Sequence, residues 1–236
     1  MIFVEFAKKM RVRVTFTEET LGTQPNDEEI YTKFIASKAP DATTVEEEVA
    51  AIGKEEYEEK QMTVFPRNDK GEPFVYDYQW KGFFKEAGRM MNRVSGSETK
   101  KLKAFVQIIN GNIYISADVP ADVKGVIARR KLSRQTIITL PEDNKEMGKC
   151  QRALRAQTAQ GERQSLACSE TVPAGSTCEF TIGLMDKSVE KAVREWLNYG
   201  EVHGMLQWRN SGKGSFVWDE LDENGKVIGG NNEFIA

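Results

Sequence analysis

Histidine, cysteine and long apolar runs are all scarce in this chain, and each scarcity removes a class of function. A single histidine, His203, stands among 236 residues. No histidine pair for a metal, and no catalytic relay needing a second histidine, can therefore be assembled. Cys150, Cys168 and Cys178 are odd in number and lack CxxC spacing. That pattern argues against zinc or a disulfide framework and for a reducing cytoplasm. No apolar run approaches the roughly 20 residues that a membrane helix needs, and the opening Met1-Ile2-Phe3-Val4-Glu5-Phe6 is too short and too acidic for a signal peptide. Neither a P-loop nor a dinucleotide fingerprint is present. We therefore expect no cofactor, no metal and no membrane. What remains, 39% hydrophobic and 29% charged, is the composition of an ordinary soluble globular protein able to bury a real core.

The most informative stretch is 199–218. Gly200, Gly204, Gly212 and Gly214 are interleaved there with Arg209, Lys213 and the large side chains Trp208, Phe216 and Trp218. Glycine admits positive φ and close approach of another molecule. Successive exposed N–H groups in such a turn form an anion-binding concavity. Arg209 and Lys213 add charge, and the indoles offer stacking surface. The same residues equally fit a glycine-rich turn between core strands with both tryptophans buried.

Net charge is −3, but it is unevenly spread. Residues 18–60 hold thirteen Asp/Glu against four Lys/Arg, a net of −9, whereas 124–163 hold ten Lys/Arg against four Asp/Glu, a net of +6. The asymmetry suits one anion-binding face, or two solvated surfaces of opposite sign.

Taken in order, Val12, Val14 and Phe16 alternate with polar residues in a strand over 11–17. Residues 1–9 read as an extension from an alternative start. Acidic helices are expected over about 27–38 and from Thr44, where Thr44 and Glu47 form a capping box. A strand is expected over 61–65. Asp77 is the expected N-cap of a helix whose Trp80, Phe83, Phe84, Ala87, Met91 and Val94 repeat at helical spacing. Lys81, Lys85 and Arg89 line another face at i, i+4 and i+8. Asn110-Gly111 predicts a hairpin between 104–109 and 112–116. A basic segment follows, with Arg129, Arg130 and Lys131, then a strand over 135–140. Residues 141–167, including Arg152 and Arg155, are polar and too long for an ordinary loop. A strand over 177–184 and a helix over about 188–199 come next, with Gly200 as its C′ residue. A small hairpin turns at 223–226, and the tail from Gly229 is expected to fray.

Three of these stretches resemble the RAMP superfamily, the RNA-binding subunits of CRISPR effector complexes. The 199–218 loop is similar to that family's C-terminal glycine-rich loop. Gly71, Pro73, Lys81 and Gly82 match its Gly-x-Pro segment and the Lys-Gly pair opening its first long helix, although Tyr78, Gln79 and Trp80 replace the small serines before the lysine. Pro173 and Gly175 before the strand centred on Phe180 match the entry to its last β-α-β unit. The resemblance implies an α+β, ferredoxin-like (RRM-like) antiparallel sheet core over 10–218 in one domain spanning 1–236. That core would carry an acidic helical insertion over 18–60, a basic thumb-like insertion over 118–167 and a C-terminal tail over 219–236. With the glycine loop, the basic helix stripe and the net-positive 124–163 segment, it leads us to expect single-stranded RNA, or else single-stranded DNA, held by Lys81, Lys85, Arg89, Arg129, Arg130, Lys131, Arg152, Arg155, Gly204, Arg209, Gly212, Lys213 and Gly214. Relatives that process RNA use a histidine in the N-terminal half, which this chain lacks. Others cut with an early aspartate, and no local motif marks Asp27 as its equivalent. We therefore expect no catalysis. The chain further resembles proteins of phage and prophage genomes, particularly over 152–160 and 206–214. That likeness leaves open a second role as an anti-defence protein that blocks a host defence complex or sequesters a nucleotide signal. Self-association stays open as well.

Overall fold

The computed structural model describes residues 5–26, 62–158 and 161–232, with the side chains of 154–166 outside that description. It is a mixed α/β protein with two largely antiparallel sheets. In chain order come β1 (Lys8–Phe16), β2 (Thr20–Leu21), β3 (Gln24–Pro25), β4 (Thr63–Val64) and β5 (Phe74–Tyr76). Then follow α1 (Asp77–Met91), α2 (Phe105–Gly111), β6 (Ile113–Ser116), α3 (Val126–Ser133) and β7 (Gln135–Thr139). The chain continues with β8 (Gly148–Thr158), β9 (Gly161–Val172), β10 (Thr177–Leu184), α4 (Glu190–His203), β11 (Phe216–Leu221) and β12 (Val227–Gly230).

The main sheet runs β12-β11-β1-β10-β7-β5, with β6 also paired to β10. Its centre is β1, whose alternation of apolar and polar residues puts Met10, Val12, Val14 and Phe16 on the buried face. Val12 lies opposite Phe180 of β10, and Val14 opposite Trp218 of β11. Within this sheet β11, β1, β10 and β6 are successive neighbours, every pair antiparallel, with α1 between β1 and β6 in sequence and α4 between β10 and β11. Both helices bury aromatic faces in the one core. Trp80 of α1 meets Phe180 with ring centroids 4.4 Å apart, and Phe84 meets Trp196 of α4 at 5.8 Å. The second sheet runs β2-β9-β4-β3, with β8 along β9 from Gly148 opposite Thr171 to Thr158 opposite Gly161.

Several local expectations are corrected. The N-cap of α1 is Tyr76, because Gln79 three residues on accepts the Tyr76 N–H at 2.9 Å; Asp77 is the first helical residue. The helix ends at Met91, leaving Val94 47% exposed beyond it. Residues 105–111 are helical rather than a hairpin strand. Phe105, Ile108 and Ile109 share one apolar face at helical spacing, and β6 then pairs with β10 instead of folding back locally. The polar 141–167 segment holds β8 and the first part of β9, which runs on to Val172. Gly200 lies inside α4 against Phe216, and the helix is closed by Gly204, whose φ is +70°. Val227–Gly230 is strand, with Gly230 opposite Asp219, and residues 233–236 lie outside the described ones. The expected acidic helices and Asp27 fall outside the described residues.

The three thiols differ sharply in setting. Cys178 and Cys168 are buried, and burial pushes the Cys178 pKa far up; Cys150 on β8 is half-buried. Thiolate is the reactive form. Titration of the native protein with a thiol reagent should therefore give one fast-reacting group, lost in Cys150→Ser. A fast second equivalent in that variant would contradict this burial.

Candidate nucleic-acid interface

The glycine loop is built by α4 ending and β11 beginning. Five residues between them take positive φ: Gly204 (+70°), Leu206 (+64°), Trp208 (+56°), Gly212 (+80°) and Gly214 (+73°). The chain closes on itself where Met205 N–H donates to Gly214 O at 2.9 Å, and it is tied to the connection between β1 and β2 by Gly214 N–H donating to Glu19 O at 3.0 Å. Glycine at 204 and 214 is a packing requirement as well as a conformational one. A Cβ at 214 would lie 2.1 Å from Met205 O, and one at 204 would lie 2.6 Å from Gly214 C. At Gly212 the space is open, so only its backbone angle favours glycine there. Left-handed leucine and tryptophan are costly, and such residues concentrate at binding sites.

The loop's charges are held from outside it. Arg209 pairs with Glu86 of α1, which also accepts from His203 Nε2 at 3.0 Å. Lys213 pairs with Glu19 at 3.1 Å and with Glu18 at 3.8 Å. The hydrogen bond to Glu19 raises the Lys213 pKa, whereas burial lowers those of Arg209 and His203. The His203 ring is stacked on Tyr199, with centroids 5.1 Å apart.

Arg152 reaches the same place from β8. Its guanidinium lies 4.9 Å from the Trp208 ring centroid, and its Nη2 donates to Gln207 Oε1 at 2.8 Å. Gln207 Nε2 in turn donates to Gly22 O at 3.0 Å. The structure therefore brings Gly204, Arg209, Gly212, Lys213, Gly214 and Arg152 together, although Arg152 is 52 or more positions away in sequence from the others. Gln207 was not among the residues singled out from sequence, since a glutamine between two apolar residues carries no local signal. Its role depends on Gly22 and Arg152, both distant along the chain.

The other candidate residues form separate groups. Lys81 turns toward α2 and β6, donating to Asn110 O at 3.2 Å and sitting 5.1 Å over the Tyr114 ring; burial lowers its pKa. Lys85 is half-buried and Arg89 exposed on α1. On α3, Arg129 donates to Val123 O at 3.2 Å, and Lys131 pairs with Asp69 at 3.2 Å. Arg129 and Arg130 line a shallow depression with Ser116, Asp118 and Ser133. Arg155 stands on β8 opposite Gln164, with its side chain outside the described ones. Of the two indoles read as stacking surface from sequence, Trp218 is buried in the core, as is Phe216, and Trp208 is 37% exposed. No helix among the described residues is long and apolar enough to cross a membrane, and no group of three or more His, Cys, Asp or Glu among them is placed to hold a metal.

No protein-family model matches the chain, and no curated protein matches it. Solved structures do resemble it. One is a chain of the type III-B Cmr-β complex bound to cognate target RNA, seen by cryo-electron microscopy. Its TM-score is 0.45 at 10% identity, over 89% of this chain and 58% of that one. Cmr6 from Pyrococcus furiosus gives 0.38 at 11% identity, over 89% and 97% of the two chains. A chain of a type IV-B CRISPR complex gives 0.38 at 11%, over 97% of each. The chain thus spans 58% of the length of the first of these.

Proposed function

We propose that this is a non-catalytic nucleic-acid-binding protein whose ligand is single-stranded RNA, built on a ferredoxin-like core of the RAMP kind and encoded in phage or prophage as a stand-alone cytoplasmic protein. The observation that carries the binding reading is the convergence of Arg152, Arg209 and Lys213 on one strained, glycine-rich loop. The neighbour order β11-β1-β10-β6, with helices after β1 and β10, supports the ferredoxin-like assignment. Lys81, Lys85 and Arg89, and the α3 cluster with Arg129, Arg130 and Lys131, stand apart from the loop and are proposed as further phosphate contacts.

Anisotropy of a short labelled RNA at low and moderate salt tests this. Phosphate contacts make affinity fall steeply with salt, and absence of binding at micromolar protein in low salt would sink the proposal. Lys213→Ala should weaken all sequences alike and lower the salt slope by about one. Because Glu19 must release Lys213 to the ligand, Glu19→Gln should tighten binding. Unchanged affinity in both Lys213→Ala and Arg209→Ala would remove the loop from the interface. The rival reading, docking of the acidic 18–60 segment on a host defence complex, rests largely on residues outside the described ones. A pull-down from host lysate that returned a defence complex free of RNA would favour it.

A further inference from the structure

Three of the four tryptophans, Trp80, Trp196 and Trp218, are at most 2% exposed, whereas Trp208 is 37% exposed. Its backbone sits at φ +56°, a conformation a bulky residue holds only when its surroundings impose it. Nothing in the core requires that indole. What holds it is Arg152, whose guanidinium covers the ring at 4.9 Å while Gln207 fixes that guanidinium and Gly22 fixes Gln207. Arg152 Nη1 is enclosed and has no acceptor among the described residues. One spot therefore carries a part-exposed aromatic ring, a cation held over it and an enclosed guanidinium nitrogen with no acceptor among the described residues.

Resting on the binding reading above, we propose that Trp208 is a stacking platform for one unpaired nucleobase of a single strand. In this arrangement Arg152 holds the ring, and its Nη1 donates to an oxygen of the same nucleotide. Stacking on an indole tolerates every base, because each has a π face, and it adds affinity without adding charge. This makes the site selective for unpaired strands over duplex, whose bases are already stacked. It also separates two contributions that share one loop: Lys213 acts through charge, Trp208 through the ring.

The test is anisotropy with a labelled single-stranded RNA, the same sequence as a duplex, and AMP as competitor, across a salt series. Trp208→Ala should lose about tenfold in affinity at every salt concentration with the slope unchanged, and Trp208→Phe should recover most of it. Intrinsic fluorescence should be quenched on binding in the wild type and not in Trp208→Phe. Melting curves for each variant establish that it is folded. Wild-type affinity in a folded Trp208→Ala, or a loss confined to low salt, would overturn the platform while leaving the binding reading intact. Failure of the wild type to bind any single strand would overturn both. AMP competing as well, per nucleotide, as the oligonucleotide would overturn the single strand as the ligand.

Discussion

Gly214→Ala is expected to cost the folded state about 3 kcal/mol or more and to abolish binding at the glycine loop. Two effects add at this position. The backbone angle is +73°, where an L side chain is strained by about 1–2 kcal/mol. The new Cβ would also stand 2.1 Å from Met205 O, a backbone atom that is itself pinned because Met205 N–H donates to Gly214 O. Relief requires breaking that bond or the one from Gly214 N–H to Glu19 O, and either opens the loop. Gly212→Ala is the matched control. It has a similar angle, +80°, but open space around it, so only the strain remains, about 1 kcal/mol. Chemical denaturation of both variants distinguishes the two effects. Equal losses would show that strain alone, and not closure against Met205, makes glycine necessary.

That contrast marks what was readable in the residues and what was not. The alternation through Val12, Val14 and Phe16 and the spacing of Trp80, Phe83, Phe84 and Ala87 each encode one buried face, so β1 and α1 were legible from local pattern alone. The glycine-rich loop was legible as a turn, but not which glycines were sterically required. That depends on Met205 and Phe216, brought up by folding. Asn110-Gly111 pointed to a hairpin because the dipeptide favours tight turns. The partner of β6 is instead β10, nearly 70 residues on, which no local signal names. The polar β8–β9 pair was unreadable as strand for a related reason. Its Gln, Thr and Arg residues carry no single apolar face, so neither period stood out. At the candidate interface, Arg209 and Lys213 were visible as cations. Their carboxylate partners Glu86, Glu18 and Glu19 lie more than 120 residues away and appeared only with the fold.

Gly200→Ala carries the second large expected effect, and its sign decides between two readings of one residue. As a helix-ending residue, Gly200 would sit in the left-handed region with space beside it. In the structure it is helical, three residues before the end of α4, and a Cβ there would lie 2.1 Å from Cζ of Phe216. Alanine is the better helix former by about 1 kcal/mol, so an unobstructed site would gain stability. Phe216 does not yield readily. It is fully buried, and its ring meets Phe83 at 5.2 Å, Trp80 at 6.0 Å and Phe16 at 6.4 Å, so moving it disturbs the centre of the core. Overpacking of this kind costs about 2–3 kcal/mol net, which in a chain of this length lowers Tm by about 6–10 °C. Phe216→Leu alone should also destabilise, by leaving a void. In the double variant Gly200→Ala/Phe216→Leu the new methyl occupies part of that void, so the two losses should fall well short of adding. Additive losses, or a Gly200→Ala variant more stable than the wild type, would show that α4 does not press on β11 at this point.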